Sequence, residues 1–102
     1  MKQITLICVA GMSTSMMVSR MKAAADSRNL DVQIQAMSES SFDTGGKQTD
    51  VLLLGPQIAY LEGQIRKKYE PEGIRISVIP APLYGMMNGE AVLDIALNMM
   101  ER

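Results

Sequence analysis

Gln3-Ile4-Thr5-Leu6-Ile7-Cys8-Val9-Ala10-Gly11-Met12-Ser13-Thr14-Ser15 reads as a short strand, a loop of small residues and the start of a helix. The mostly apolar run Gln3 to Ile7 suits a central parallel strand covered on both faces. Cys8 ends that strand instead of lying inside it, where inert core thiols belong. Gly11 gives the backbone freedom for a tight turn. Ser13, Thr14 and Ser15 offer hydroxyls and an N-cap; capping needs one such residue, and three in succession favour a binding role. The unpartnered amides of a first helical turn point back toward the sulfur and make the loop an anion nest. The expected anion is phosphate, carried on the sulfur itself. The same setting lowers the thiol pKa below its ordinary value, so thiolate is available at neutral pH.

Composition narrows the chemistry. At 102 residues the chain is expected to form one domain over 1–102 with a single core. A hydrophobic content of 47% with 21% charged residues is the balance of a globular protein. A formal charge of −1 leaves no basic footprint for nucleic acid. No apolar run approaches a membrane span, and the first residues carry no signal-peptide core, so the expected compartment is the cytoplasm. One cysteine makes no internal disulfide, and with no histidine it makes a poor zinc site; no metal and no cofactor are expected. The absence of histidine also removes Ser-His-Asp and Cys-His machinery and any phosphohistidine on this chain. Activation of Cys8 then falls to backbone amides, hydroxyls and a helix dipole.

Beyond the loop, Thr14, Met17, Val18, Met21 and Ala25 fall on one face of a helix expected from Ser13 to Ser27. Asn29 suits a left-handed cap after it. Asp31 to Met37 alternates as a half-exposed edge strand. Ser38 to Asp50 is a crossover in which Ser38 or Ser40 caps a short helical turn before Gly45-Gly46 breaks it. Val51 to Leu54 is a fully apolar strand ended by Gly55-Pro56. Ile58, Leu61, Ile65 and Tyr69 mark a second helix, weakened at Gly63 and ended by Pro71 and Gly73. Ile74 to Ile79 is a fourth strand, with Pro80-Ala81-Pro82 forcing an extended exit. Leu83 to Gly89 reads as a loop, with Tyr84-Gly85 and Asn88-Gly89 as turn residues, before a last helix from Glu90 to Met100. Strict alternation of strands and helices gives an α/β fold, an open four-stranded parallel sheet with helices on both faces. Its ligand site lies beyond the carboxyl ends of the strands, where the loops at Cys8–Ser15, Gly55–Gln57 and Pro82–Gly89 converge. Arg66-Lys67-Lys68 is a solvated helix end. The ten methionines are mainly core filler. Met12, Met16, Met86 and Met87, close to these loops, offer an adaptable docking surface.

Three stretches carry a family resemblance: Cys8 to Ser15, Asp50-Val51-Leu52-Leu53-Leu54-Gly55-Pro56-Gln57-Ile58-Ala59-Tyr60, and Leu83-Tyr84-Gly85. With this order and spacing the whole chain resembles the IIB component of the bacterial phosphotransferase system, lactose/cellobiose/chitobiose class. The resemblance implies strand order 2-1-3-4, similar to low-molecular-weight tyrosine phosphatases. It implies that Cys8 accepts phosphate from a IIA phosphohistidine and passes it to a β-linked disaccharide-type sugar held by the membrane component IIC. Ala10, Gly11, Met12, Ser13, Thr14, Ser15 and Met16 would form the phosphate cradle. The missing histidine would be the partner's, and the monomer would sit transiently at the inner face of the membrane. Met16-Met17 depart from the leucines frequent in the family, and Ser38 to Gly46 is unusually polar.

Two other readings use the same loop. A low-molecular-weight phosphatase needs C-x5-R-[ST]; Thr14 stands in the arginine's place, so the bidentate clamp on phosphate is missing. Nor does an aspartate lie between Tyr84 and Gly89 to protonate a leaving group. A regulatory anion-binding module would keep its function after Cys8→Ser, whereas a relay would lose phosphoryl transfer.

Overall fold

The computed structural model describes residues 2–7, 11–38, 40–42 and 49–100. In chain order, β1 (Lys2–Ile7) leads to α1 (Gly11–Ser27), β2 (Val32–Met37) and β3 (Val51–Leu54). A 3-10 helix (Pro56–Leu61) then continues into α2 (Glu62–Tyr69) and a 3-10 turn (Glu70–Glu72), followed by β4 (Arg75–Val78), α3 (Ala81–Gly85) and α4 (Gly89–Met100). All strand pairs are parallel and the order is β2-β1-β3-β4, as expected.

The period of two along the strands divides the core into two layers. Ile4, Leu6, Val51 and Leu53 face α1 and α4, where Met17, Met21, Val92, Leu93 and Ala96 meet them. Ile7, Leu52 and Leu54 face the other way, onto Ile58, Ile65, Tyr69 and Phe42. The helical stripe Thr14, Met17, Val18, Met21 and Ala25 is buried throughout, so the spacing in the sequence had the correct face. β2 is an edge strand in which Ile34 is buried between less buried neighbours.

Local chemistry explains most element ends. Asn29 takes the left-handed conformation at φ 55°, and Leu30 N–H closes the helix end on the Ala25 carbonyl at 3.0 Å. In the crossover, the Ser38 hydroxyl accepts the Ser41 N–H at 3.2 Å, and residues 40–42 are helical. That turn places Phe42 edge-on to Tyr69, ring centres 4.9 Å apart, with both residues fully buried. Gly45-Gly46 lies outside the described residues. Asn88 caps α4, its Oδ1 accepting the Ala91 N–H at 3.1 Å. Arg66 is ion-paired on α2 with Glu62 and Glu70, so only part of the basic run is simply solvated.

Three expectations need correction. α1 starts at Gly11, two residues early, so Gly11 belongs to the first helical turn, and Ser13, Thr14 and Ser15 lie inside the helix instead of capping it. The extended exit after β4 is confined to Pro80, with ψ 135°, and Ala81–Gly85 is helical where the sequence predicts a loop. A proline in the first turn loses no helical bond, because its N–H would be unpaired there anyway. Finally, the segment after Gly55 opens as a 3-10 helix with a kink at Ile58 (φ −116°, ψ 24°) before α2 begins. Most of the stripe survives the kink: Ile58, Ile65 and Tyr69 are enclosed, while Leu61 is only half-buried.

Candidate functional site

In this strand order β1 sends its chain over one face to β2, while β3 lies on its other side. The switch point therefore falls between the carboxyl ends of β1 and β3. The Gly55 N–H donates to the Ile7 carbonyl at 3.0 Å, extending the β1–β3 ladder by one step beyond the strands. The Ile79 N–H does the same for the Leu54 carbonyl at 2.8 Å. The carboxyl ends of β1, β3 and β4 thus lie along one rim, where the loops were expected to converge; the first of these loops begins outside the described residues.

Three residues, Cys8, Val9 and Ala10, join β1 to α1; all three lie outside the described residues. They lead into the amino end of the 17-residue helix α1, which has no acidic residue in its first turn. The partial positive charge of that end is therefore unopposed by a carboxylate of its own turn. By helix geometry the N–H groups of Gly11, Met12 and Ser13 have no intrahelical acceptor, whereas those of Ser15 and Met16 fall four residues beyond Gly11 and Met12.

The structure separates the remaining cradle candidates. Thr14 is 3% exposed, and its hydroxyl lies 3.3 Å from that of Tyr84, itself buried at 5% exposure. Ser15 is exposed, and Met16 turns outward at 52% exposure. Tyr84, on α3, is more than the turn residue that the sequence makes of it. Its position after the fourth strand was the available signal; its partner 70 residues earlier was not legible from spacing. Met86 at 73% and Tyr60 at 79% exposure are further large apolar side chains, the first at the end of α3 and the second in the 3-10 helix after β3. Among the described residues no cluster of metal-ligating side chains occurs, and no helix is long and apolar enough to cross a membrane. A cavity of about 630 Å³ lies between α2, β4 and α4, lined by Arg66, Arg75 and Asn98 among others, away from the β1–β3 rim.

Residues 3–95 match the family "PTS system, Lactose/Cellobiose specific IIB subunit". The chain belongs to this family. Two Lactococcus lactis proteins, a galactose-specific EIIB component from subsp. cremoris and a cellobiose-specific one from subsp. lactis, are each 46% identical to it over 97% of the chain and 96% of their own length. An oligo-beta-mannoside-specific EIIB component of Bacillus subtilis is 34% identical, covering 98% of this chain and 97% of its own. The solution structure of a Borrelia burgdorferi cellobiose-specific IIB component superimposes with TM-score 0.81 at 39% identity, over 98% of this chain and 92% of that one. A lactose-specific IIB domain from Streptococcus pneumoniae gives TM-score 0.86 at 14% identity, over 96% of both chains, which shows the shared fold. This IIB protein is therefore a phosphotransferase component of sugar transport, of the lactose/cellobiose type, and works with IIA and IIC partners.

Proposed function

We propose that Cys8 is the phosphoryl carrier. The observation that supports it most is the short link from β1, at the switch point of the sheet, to an α1 amino end free of acidic residues. The Cys8 thiolate attacks the phosphorus of a IIA phosphohistidine; the S–P bond forms, the P–N bond breaks, and the imidazole leaves with a proton. A sugar hydroxyl held by IIC then attacks the same phosphorus. The O–P bond forms, the S–P bond breaks, the thiolate is restored and the hydroxyl proton is released.

Within the expected cradle of Ala10 to Met16, backbone amides of the first turn, at Gly11, Met12 and Ser13 with Ala10 before them, take the phosphate oxygens. Thr14 contributes by packing, and Ser15 and Met16 stand at the margin. The loop offers anion stabilisation without an acid or base to activate water, which suits relay over hydrolysis. The sugar is a β-linked disaccharide type, and its choice resides in IIC. The loops around the rim and the exposed flank of α1 dock IIA and IIC in succession through small contacts. The protein acts as a cytoplasmic monomer that visits the inner face of the membrane.

The deciding experiment is incubation with phosphoenolpyruvate and the upstream phosphotransferase proteins, read by intact mass. One phosphoryl group is gained by the wild type and none by Cys8→Ser. Phosphate uptake by Cys8→Ser would overturn the assignment.

A further inference from the structure

We infer that Tyr84 is a positioning residue for phosphoryl transfer, its hydroxyl fixing the first turn of α1 through Thr14. The inference rests on the reading of Cys8 as carrier. Thr14 directly follows Ser13, the last residue of the first turn whose amide lacks an intrahelical acceptor, so its side chain is the nearest described anchor for that turn. It points into the core, and its Oγ1 meets Tyr84 Oη at 3.3 Å with both residues nearly enclosed. Tyr84 comes from α3, which follows directly on the Ile79 N–H bond to the Leu54 carbonyl of the sheet, and its own N–H closes the first turn of α3 on the Pro80 carbonyl at 3.1 Å. The connection after β4 thus reaches across the fold to hold the helix that begins at the rim.

A hydroxyl pair is an uncommon choice for a site inside an apolar layer. Phe and Val would fill the same volume without the need to satisfy two polar atoms. What the pair adds is direction. At 3.3 Å it is long for two hydroxyls, so it adds little to the strength of the core, and its value lies in which groups it joins. Amides that must meet three phosphate oxygens depend on such orientation, since small misplacements cost large factors in rate.

The test compares Tyr84→Phe, Thr14→Val, the double variant and Thr14→Ser in transfer from a phosphorylated IIA protein, with thermal unfolding alongside. Tyr84→Phe keeps the ring in the core. The expected result is a fall in kcat of about five- to tenfold with KM within about twofold. Thr14→Val matches it, the double variant is no worse than either single one, and Thr14→Ser recovers rate relative to Thr14→Val. A wild-type rate for Tyr84→Phe, or additive losses in the double variant, would overturn the inference. Its failure is distinct from failure of the carrier reading, which shows as phosphate uptake by Cys8→Ser.

Discussion

Gly89 lies against the backbone of α1 so closely that a Cβ on it would sit 2.7 Å from the Met21 nitrogen. The first turn of α4 and the middle of α1 touch main chain to main chain. Such a contact leaves no flexible side chain to move aside. Gly89→Ala should therefore destabilise the fold by roughly 1–3 kcal/mol, despite alanine's better helix propensity, because α1 and α4 must separate. Denaturant unfolding measures the loss; an unchanged midpoint would show that the helices can part without cost.

Gly63 is the opposite case. It lies in the second position of α2 with open space where a side chain would go. Gly63→Ala should stabilise the protein by about 0.4–1 kcal/mol, since it removes only unfolded-state freedom. The same unfolding assay should move the midpoint upward.

Phe42 secures the crossover between β2 and β3. It is completely buried on Tyr69, and the helical turn at 40–42 presents it there. Phe42→Ala should cost about 3–5 kcal/mol, and Phe42→Leu distinctly less. If the alanine variant unfolds at the wild-type denaturant concentration, the crossover contributes little to stability.

The pH dependence of stability should isolate the thiol. Glu62 and Glu70 hydrogen-bond the Arg66 guanidinium and raise its pKa above the ordinary arginine value. A raised folded value means a contribution fully present below the unfolded value and lost only as pH climbs through the folded one, far above neutrality. Arg66 therefore adds no slope near neutral pH, and the chain has no histidine to add one. If Cys8 is the carrier proposed above, its thiolate gives the reverse sign: a folded pKa lowered by the end of α1 would make a contribution that is lost as pH falls through that lowered value. Relative to Cys8→Ser, the wild-type melting temperature should rise between the lowered value and the ordinary thiol value of about 8.5. Parallel curves for the two proteins across this range would exclude a stabilised thiolate.

Met16 and Met86 are exposed apolar side chains near the rim. Met16→Lys and Met86→Lys should each leave stability within about 0.5 kcal/mol. Both should raise KM for phosphorylated IIA several-fold, because the adaptable apolar contact is replaced by a solvated charge. Titration calorimetry with IIA provides an independent check, and unchanged affinity in both variants would remove these methionines from the docking surface.

Much of the sheet was legible because its signals are local. Val51 to Leu54 is apolar at every position and is buried at every position. The alternation in Val32 to Met37 placed an edge strand, and Asn29 placed a left-handed cap. What the sequence concealed was contact between distant segments. Gly89 reads as half of a turn until α1 is seen against it, and Tyr84 has no visible partner until Thr14 arrives from the other end of the chain. The start of α1 was misplaced for a different reason. Serine and threonine are good caps, but here they lie within the first turns, where Thr14 faces the core. Pro82 misled similarly: proline resists helix interiors and is at home in their first turn.

The ties from Gly55 to Ile7 and from Ile79 to Leu54 gather the loop starts on one side of the sheet. On the proposed reading of Cys8 as carrier, both partners would approach from this one side. A spent donor that lingers there would then block the acceptor as surely as an inhibitor. At saturating partner concentrations, throughput is then governed by how fast each partner departs, and a variant that grips IIA more tightly should transport sugar more slowly.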